Sequence, residues 1–254
     1  MISNHRPQDN MIIYGRNPIL DAIKEGKAFE KIFVRDNLTG EFEMEVRKLC
    51  KERGISLKKV PLAKLDRLCR RANHQGAVGV GSIVSYQSID LIIPHLYEQG
   101  KEPLFILIDN VQDVRNIGAI ARSSEVLGAQ ALIISGKQSG MITSESMKTS
   151  AGALSRLLVC REKNTIDTIK QLQSYGIKVV ATSVESGKAI SSLDLTSPVC
   201  ICLGSEGTGL HRTVVSACDQ VGYIEQSGQT DSLNVSVAAG IMLYEANRQI
   251  SKVQ

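Results

Sequence analysis

Polar side chains that could orient a substrate follow three apolar runs in the C-terminal part of the sequence. Asn116 and Arg122 come after the run "LFILIDN", and Glu206 lies between glycines in "CLGSEGTGLH". Ser232 and Asn234 precede the apolar helical pattern "VSVAAGIMLYE". The cluster contains no histidine and no cysteine nucleophile, so it suits neither covalent hydrolysis nor metal chemistry. It suits the orientation of a reactive cofactor against a polar acceptor.

Each segment also has a purely structural explanation. Arg122 alone is typical of a surface arginine on an amphipathic helix, and the glycines of "CLGSEGTGLH" are typical of a tight turn between a strand and a helix. Asp231 or Ser232 is a good N-cap for the last helix. A turn does not need a carboxylate at Glu206, however, and a cap needs one polar residue rather than three. The functional interpretation therefore stands beside the structural one.

The elements that would position these groups form a regular alternation from Leu104 onward. "LFILIDN" and "PVCICLG" are continuous apolar runs, which are typical of strands covered on both faces. "NIGAIARSSEVLG" and "TIDTIKQLQSYG" read as helices that end at glycine. This order predicts an α/β fold with a parallel sheet, whose ligands bind at the carboxyl ends of the strands. The last helix has apolar residues on two sides, so we expect it to be buried nearly all round.

The chain divides into two domains and a connection. Residues 11–84 alternate short helices and strands as a compact α/β unit. Its first helix shows Asn17 as a cap, Pro18 at the first helical position and Gly26 at the end. Residues 85–103 are expected to form a linker with a short helix, and residues 104–254 form the larger parallel-sheet domain.

Composition excludes several classes of protein. Of the 254 residues, 43% are hydrophobic and 22% are charged, which is typical of a soluble globular protein. No apolar run is long enough to span a membrane, so we expect no membrane partner and a cytoplasmic location. The six cysteines form no CxxC pair, and the four histidines are scattered. Neither a disulfide framework nor a metal site is predicted.

Positive charge is concentrated in the N-terminal part. Residues 1–100 hold 16 Lys and Arg against 12 Asp and Glu, whereas residues 101–254 hold 14 of each. Ten of these 16 basic residues lie in a basic run between Arg47 and Arg71. Such a run is typical of a solvated helix face or of a patch that binds a phosphate backbone, and the asymmetry leaves both open.

The three polar segments, taken in order, resemble the signature motifs of the SpoU, or TrmH, family of RNA 2′-O-ribose methyltransferases, part of the SPOUT superfamily. "NVQDVRNIGAIARSSEVLG", "CLGSEGTGLH" and "SLNVSVAAGIMLYEA" match motifs one to three. The opening "YGRNPILDAIKEG" and "HQGAVG" resemble the substrate-binding extension of the branch that contains the bacterial 23S rRNA guanosine 2′-O-methyltransferase. The resemblance extends over nearly the whole chain from Tyr14.

This resemblance implies a fold and a cofactor. The fold is a six-stranded parallel sheet whose C-terminal part is threaded as a deep trefoil knot, and the knot forms the pocket for S-adenosylmethionine (AdoMet). Two subunits pair beside the knot as a homodimer. By position, the residues that hold the cofactor are Gly204, Gly207, Ile224 and Leu233. The implied catalytic residues are Asn116, Arg122, Glu206, Ser232 and Asn234.

The N-terminal domain, similar to small ribosomal proteins, would present the RNA. Its expected RNA contacts are Arg16, Arg47, Lys48, Lys51, Lys58, Lys59, Arg70 and Arg71. Two positions depart from the family pattern. Val114 stands where proline is usual, and "IEQSG" replaces an Ile-Pro pair with a following apolar residue, which puts Glu225 beside the expected cofactor pocket.

The implied reaction is displacement of the sulfonium methyl group by a ribose 2′-hydroxyl. Because a guanidinium has a pKa above about 12, we assign Arg122 to the target phosphate and the developing oxyanion rather than to proton removal. Asn116 and Ser232 would orient the ribose, and Glu206 and Asn234 would hold the loops and Arg122. The favoured substrate is a guanosine of 23S rRNA, with tRNA as the alternative. A different class, an RNA-binding or ribosome-assembly protein without activity, also stays open.

Overall fold

The computed structural model describes residues 11–184, 186–196, 198–228 and 232–253. Contacts divide this part of the chain into two units. The first contains the residues up to Ser85 together with Met141–Ser144, and the second contains Tyr86–Gly140 and the residues from Glu145 onward. Among the described residues, no helix is both long enough and apolar enough to cross a membrane.

The first unit is a four-stranded sheet with helices on both faces. Its strands are β1 (Ile12–Tyr14), β2 (Phe29–Arg35), β3 (Leu57–Val60) and β4 (Ala77–Gly81), and its helices are α1 (Arg16–Lys24), α2 (Glu41–Glu52) and α3 (Leu62–Leu68). The strand order is β1-β4-β2-β3, with β4 antiparallel to both neighbours and β2 parallel to β3. Residues of β2 alternate between two cores. Ile32 and Val34 pack with residues of α1 and α2, and Phe33 packs with Leu65 of α3.

The second unit is built on a parallel sheet. Its strands are β5 (Tyr86–Gln87), β6 (Leu104–Asp109), β7 (Ala131–Ser135), β8 (Leu158–Glu162), β9 (Lys178–Ser183), β10 (Lys188–Ala189), β11 (Val199–Leu203) and β12 (Gln220–Tyr223). The order is β10-β12-β9-β11-β6-β7-β8-β5, and every neighbouring pair is parallel. The predicted α/β class with a parallel sheet is confirmed. The two strands beyond the expected six are β5 and β10, whose two residues each are too few to make a pattern.

Six helices accompany this sheet: α4 (Ile89–Glu98), α5 (Val114–Val126), α6 (Ser144–Thr149), α7 (Thr165–Ser174), α8 (Arg212–Val215) and α9 (Val235–Val253). The segment 85–103, expected as a linker, contains β5 and α4. Ile89, Ile93 and Leu96 of α4 are buried in the same core as Phe105 of β6. This segment is therefore part of the second unit in the structure.

The last helix is less enclosed than its pattern indicates. Met242 and Leu243 of α9 are fully buried, and α9 packs against α5. Val237 and Tyr244, however, are 48% and 61% exposed. The expectation of burial on all sides is wrong for this chain by itself, because one face of α9 lies away from both the sheet and α5.

Candidate active site

Three of the five predicted catalytic residues form one hydrogen-bonded network. The Asn116 side-chain amide donates to Glu206 Oε2 at 3.1 Å. The Asn234 amide donates to Glu206 Oε1 at 3.1 Å and also lies 3.1 Å from the acceptor Asn116 Oδ1. Both carboxylate oxygens of Glu206 therefore have partners, and side chains from α5, the loop after β11 and the start of α9 are joined.

Asn234 has its orientation fixed by the helix that follows it. Its Oδ1 accepts from the Ser236 backbone N–H at 2.8 Å and from Ser236 Oγ at 2.6 Å. An amide whose oxygen accepts these bonds must turn its NH₂ group toward Glu206. Asn234 thus caps α9, a role that the sequence pattern gave to Asp231 or Ser232. Ser232 is exposed, and Asp231 lies outside the described residues.

Arg122 stands apart from this network. It is exposed on α5, on the same helical face as Ala119 and Val126. Its side chain makes no hydrogen bond or ion pair with any residue in the described ranges. The expected contact with Glu206 is not formed, because two amides already bind that carboxylate. The guanidinium is left available for an anion from outside the chain.

The loop after β11 needs its glycines for steric reasons. A Cβ on Gly204 would lie 2.1 Å from the carbonyl carbon of Gly209, closer than any real contact. Gly207 and Gly209 have φ values of +86° and +63°, in the region that favours glycine. Ser205 and Gly209 pair across the loop, and the Gly209 N–H donates to the Ser205 carbonyl at 2.9 Å. The segment 204–210 is therefore a tight hairpin that carries Glu206 at its tip.

A cavity of about 420 Å³ lies against this hairpin. Its wall includes all four residues predicted to hold a cofactor, Gly204, Gly207, Ile224 and Leu233, together with Glu206 and Ser232. Leu203, Val235 and Met242 add apolar surface. Gln226 lines the cavity, whereas Glu225 is exposed and does not. The volume is that of a pocket for a small molecule of cofactor size.

One part of the cavity wall was not predicted from the sequence. Thr182 and Ser183 at the end of β9, and Ser186 just after it, also line the cavity. Ser183 Oγ and Ser186 Oγ are 2.8 Å apart, and Thr182 Oγ1 donates to the Cys202 carbonyl at 3.2 Å. The available signal was the run of hydroxyl residues directly after the apolar strand "KVVA".

A second cleft lies on the other side of the same hairpin. It shares Ser205, Glu206 and Thr208 with the cofactor-sized cavity, and Lys137 and Lys163 also line it. These are residues at the carboxyl ends of β7, β8 and β11. Asp109, Asp113 and Glu206 line the same cleft, so the two lysines stand beside carboxylates and give the cleft a mixed charge.

The chemistry available here is orientation and charge stabilisation. Burial raises the pKa of the Cys160 thiol to about 12 and raises the pKa of the Cys200 thiol. A hydrogen bond with Cys218, together with burial, raises the pKa of the Cys202 thiol, so none of the three is a thiolate at neutral pH. In the described part of the chain, no group of three or more His, Cys, Asp or Glu side chains could hold a metal ion.

The basic residues of the first unit differ in their surroundings: some form ion pairs, and others are exposed. On α2, Arg47 forms an ion pair with Glu43, and Lys59 Nζ of β3 lies 3.5 Å from the same carboxylate. Lys48 and Lys51 are exposed on α2, and Lys58 is half-buried on β3. The other three predicted RNA contacts, Arg16, Arg70 and Arg71, are exposed near the segment 70–76.

The second unit combines a parallel sheet with a glycine-lined cavity of cofactor size, which lies beside a network of amides and a carboxylate. This combination is typical of enzymes that orient a cofactor for group transfer. Comparison with known families identifies the class of enzyme. Residues 103–244 match the model of the SpoU rRNA Methylase family, and residues 12–87 match the model described as RNA 2′-O ribose methyltransferase substrate binding. The chain belongs to the SpoU rRNA Methylase family. The predicted membership is confirmed.

Individual proteins show the same relationship over the whole chain. YacO of Bacillus subtilis (strain 168), named for the TrmH family of tRNA/rRNA methyltransferases, is 29% identical over 246 residues, covering 97% of this chain and 98% of its own. The SpoU methyltransferase AviRb from Streptomyces viridochromogenes, solved in complex with the cofactor AdoMet, is 25% identical with a TM-score of 0.60. That match covers 96% of this chain and 92% of AviRb.

An AdoMet-bound rRNA methyltransferase from Sinorhizobium meliloti is 26% identical, with a TM-score of 0.60 over 95% of this chain and 88% of its own. Two solved proteins that are similar to this chain thus hold AdoMet. Together with the family match, they confirm that this chain is an RNA methyltransferase of an AdoMet-using family.

Proposed function

We propose that this protein transfers a methyl group from AdoMet to a ribose 2′-hydroxyl of RNA, with a guanosine of 23S rRNA as the favoured target. The observation that carries the proposal is the cofactor-sized cavity whose hairpin wall also holds Glu206 of the polar network. The match of residues 12–87 to a substrate-binding model for ribose methyltransferases supports the 2′-hydroxyl as acceptor. A tRNA nucleotide is the alternative target, since YacO is named for both RNA classes.

The size and the lining of the cavity suit AdoMet. Ile224 and Leu233 offer apolar surface to an adenine ring, and Gly204 and Gly207 let backbone groups approach closely. We assign these four residues to cofactor binding. When bound, AdoMet supplies an electrophilic methyl group on a sulfonium centre.

The chain's own residues prepare the acceptor. The Asn116–Glu206–Asn234 network holds α5, the loop after β11 and the start of α9 together, so that the exposed hydroxyl of Ser232 can orient the ribose at the rim of the cavity. The guanidinium of Arg122 binds the target phosphate. Its charge also stabilises the oxyanion that develops on the 2′-oxygen. The hydroxyl proton leaves to that phosphate or to another acceptor.

The same proposal includes a homodimer that forms through α5 and α9. These helices pack together, and Val126, Val237 and Tyr244 on them are exposed. Large apolar side chains on adjacent helices are typical of an interface with another subunit. Arg122 lies on the same face of α5 as Val126, so pairing of two copies would enclose the arginine beside the active site.

Transfer of a labelled methyl group tests the proposed function. The full-length chain is incubated with tritiated AdoMet and unmodified transcripts of 23S rRNA or tRNA, and the RNA is digested to nucleosides. We expect label in a 2′-O-methylguanosine from the 23S transcript. Label in a tRNA nucleoside would select the alternative target, and label on a base would refute the ribose assignment. RNA binding without any transfer would favour the non-catalytic class.

A further inference from the structure

The first unit contains a concave surface that the sequence did not single out, which we call the loop cleft. It is lined by Arg35, residues 37–39, residues 72–76, Arg16 and Leu62, and its volume is about 840 Å³. Asp36 lies between two of these residues in the sequence but is not part of the lining, which contains no acidic side chain. The segments meet because β2 and β4, which are antiparallel neighbours, bring residue 35 to the beginning of β4.

The backbone that leads from α3 to one wall of the loop cleft is held in an uncommon conformation. Arg70, Arg71 and Gln75 have φ values of +52°, +63° and +50°. Residues other than glycine seldom adopt this left-handed region, and such residues persist where the surrounding structure holds them. Because they cluster at functional sites, three within six residues point to a loop shaped for binding.

A buried histidine holds this loop. His74 Nδ1 accepts the Gly76 N–H at 3.0 Å, so the ring proton lies on Nε2 and is donated to Asp66 Oδ1 at 3.2 Å. On the other side, the Arg16 N–H donates to Gln75 Oε1 at 3.2 Å and Arg16 Nε donates to the Gln75 carbonyl at 3.1 Å. The loop is therefore preorganised, and it fixes Arg16 as well.

The groups that face the loop cleft still have binding capacity. The side chains of Arg35, Asn37 and Asn73 are exposed, and they form no hydrogen bond or ion pair with other described residues. Leu62 is 42% exposed, although it is a large apolar side chain. Two amides, an apolar surface and an arginine thus surround one concavity.

This combination matches the parts of an unpaired nucleotide. A nucleobase has an apolar face for Leu62 and a hydrogen-bonding edge for the amides, and its phosphate suits an arginine. An acidic peptide would leave the amide pair and the leucine without matching groups. A regular double helix keeps its base faces stacked, so it cannot place one in a concavity.

We propose that the loop cleft binds an unpaired nucleobase of the RNA substrate. Asn37 and Asn73 bind the edge of the base, Leu62 contacts its face, and Arg35 binds the adjacent phosphate. This inference rests on the proposed function only in taking RNA as the substrate. It adds the place where the enzyme distinguishes one RNA from another, in a unit that does not contain the cofactor cavity.

Binding of short RNA strands by the full-length chain tests this inference. The probes are fluorescein-labelled 12-nucleotide strands of rA, rU and rC and a 12-base-pair RNA duplex, followed by fluorescence anisotropy. We expect one single strand to bind best. Asn73→Ala should lower that affinity about ten-fold and reduce the difference between the strands. Arg35→Ala should weaken all strands and reduce the slope of log K against log salt by about one.

Lys27→Ala is the matched control, since it removes an exposed charge of the same unit that is paired with Glu25 outside the loop cleft. It should leave the order of strand affinities unchanged. The inference would be overturned if Asn73→Ala and Leu62→Ala both bound the single strands as tightly as the wild type. It would also be overturned if Asn73→Ala lost as much affinity for the duplex as for the single strand. AdoMet binding by calorimetry and methyl transfer are measured in parallel. Loss of strand binding in these variants supports the loop cleft even if the wild-type chain transfers no methyl group, which would refute only the proposed function.

Discussion

At the scale of single residues, the site contains three side chains that bind one another and one that binds no other described residue. Asn116, Glu206 and Asn234 satisfy one another, and Asn234 also caps α9. Arg122 has no partner among the described residues. A charge without an internal partner is free to meet a phosphate or a developing oxyanion.

Replacing Arg122 by alanine should therefore affect the reaction and not the cofactor. We expect Arg122→Ala to lower methyl transfer by about 10²-fold or more, as for the loss of a group that stabilises developing charge. AdoMet binding, measured by calorimetry, should stay near that of the wild type because Arg122 does not line the cavity.

Arg156→Ala is the control for this change, because Arg156 belongs to the same unit and is paired with Glu125. It should retain transfer within a few-fold of the wild type, as expected for an exposed pair of small energetic weight. Loss of cofactor binding together with transfer in Arg122→Ala would contradict the assigned role.

At the scale of elements, the loop that follows α3 combines strain with binding capacity. Arg71 has φ +63°, and its side chain has no partner in the described part of the chain. A left-handed residue costs about 1–2 kcal/mol unless it is glycine. The chain keeps arginine there, which is consistent with selection for a binding surface over stability.

Arg71→Gly should accordingly stabilise the protein. Relief of the left-handed conformation exceeds the entropy that glycine adds to the unfolded chain, so we expect a gain of about 0.5 kcal/mol in the free energy of unfolding. Urea denaturation measures it. Arg67→Gly, inside α3, should instead lose about 1 kcal/mol through lower helix propensity. A decrease in both variants would show that Arg71 is not strained.

Sequence patterns predicted the elements where burial dictates residue type. The six residues of β6 are all buried, as the run "LFILID" indicates. Sequence patterns did not predict the elements whose structure depends on a few backbone contacts. β1 has only three residues and is a strand because it pairs with β4, and Gly15 rather than Asn17 is the N-cap of α1. The Asn116–Glu206–Asn234 cluster could be expected from motif order, whereas the loop cleft could not, since Arg35 and Asn73 meet only through strand pairing.

At the scale of the whole molecule, the chain leaves apolar surface where a second copy would fit. Val126 of α5 is 70% exposed, and Tyr244 of α9 is 61% exposed. Half-buried and exposed apolar residues recur along this face of α9, whereas its opposite face is packed in the core. A monomer would keep this surface in water at a cost of about 25 cal/mol for each Å² of apolar area.

Introducing a charge on this face should separate the subunits of the proposed homodimer. Wild-type protein is expected to sediment as a dimer at micromolar concentration, and Tyr244→Glu as a monomer, because pairing would bury two uncompensated carboxylates. Leu91→Glu, at a 69% exposed position on α4, should remain dimeric. If Arg122 acts at the interface, the monomeric variant should also lose methyl transfer while its secondary structure, measured by circular dichroism, is kept. A wild-type chain that sediments as a monomer and transfers methyl groups would refute the dimer as a requirement for activity.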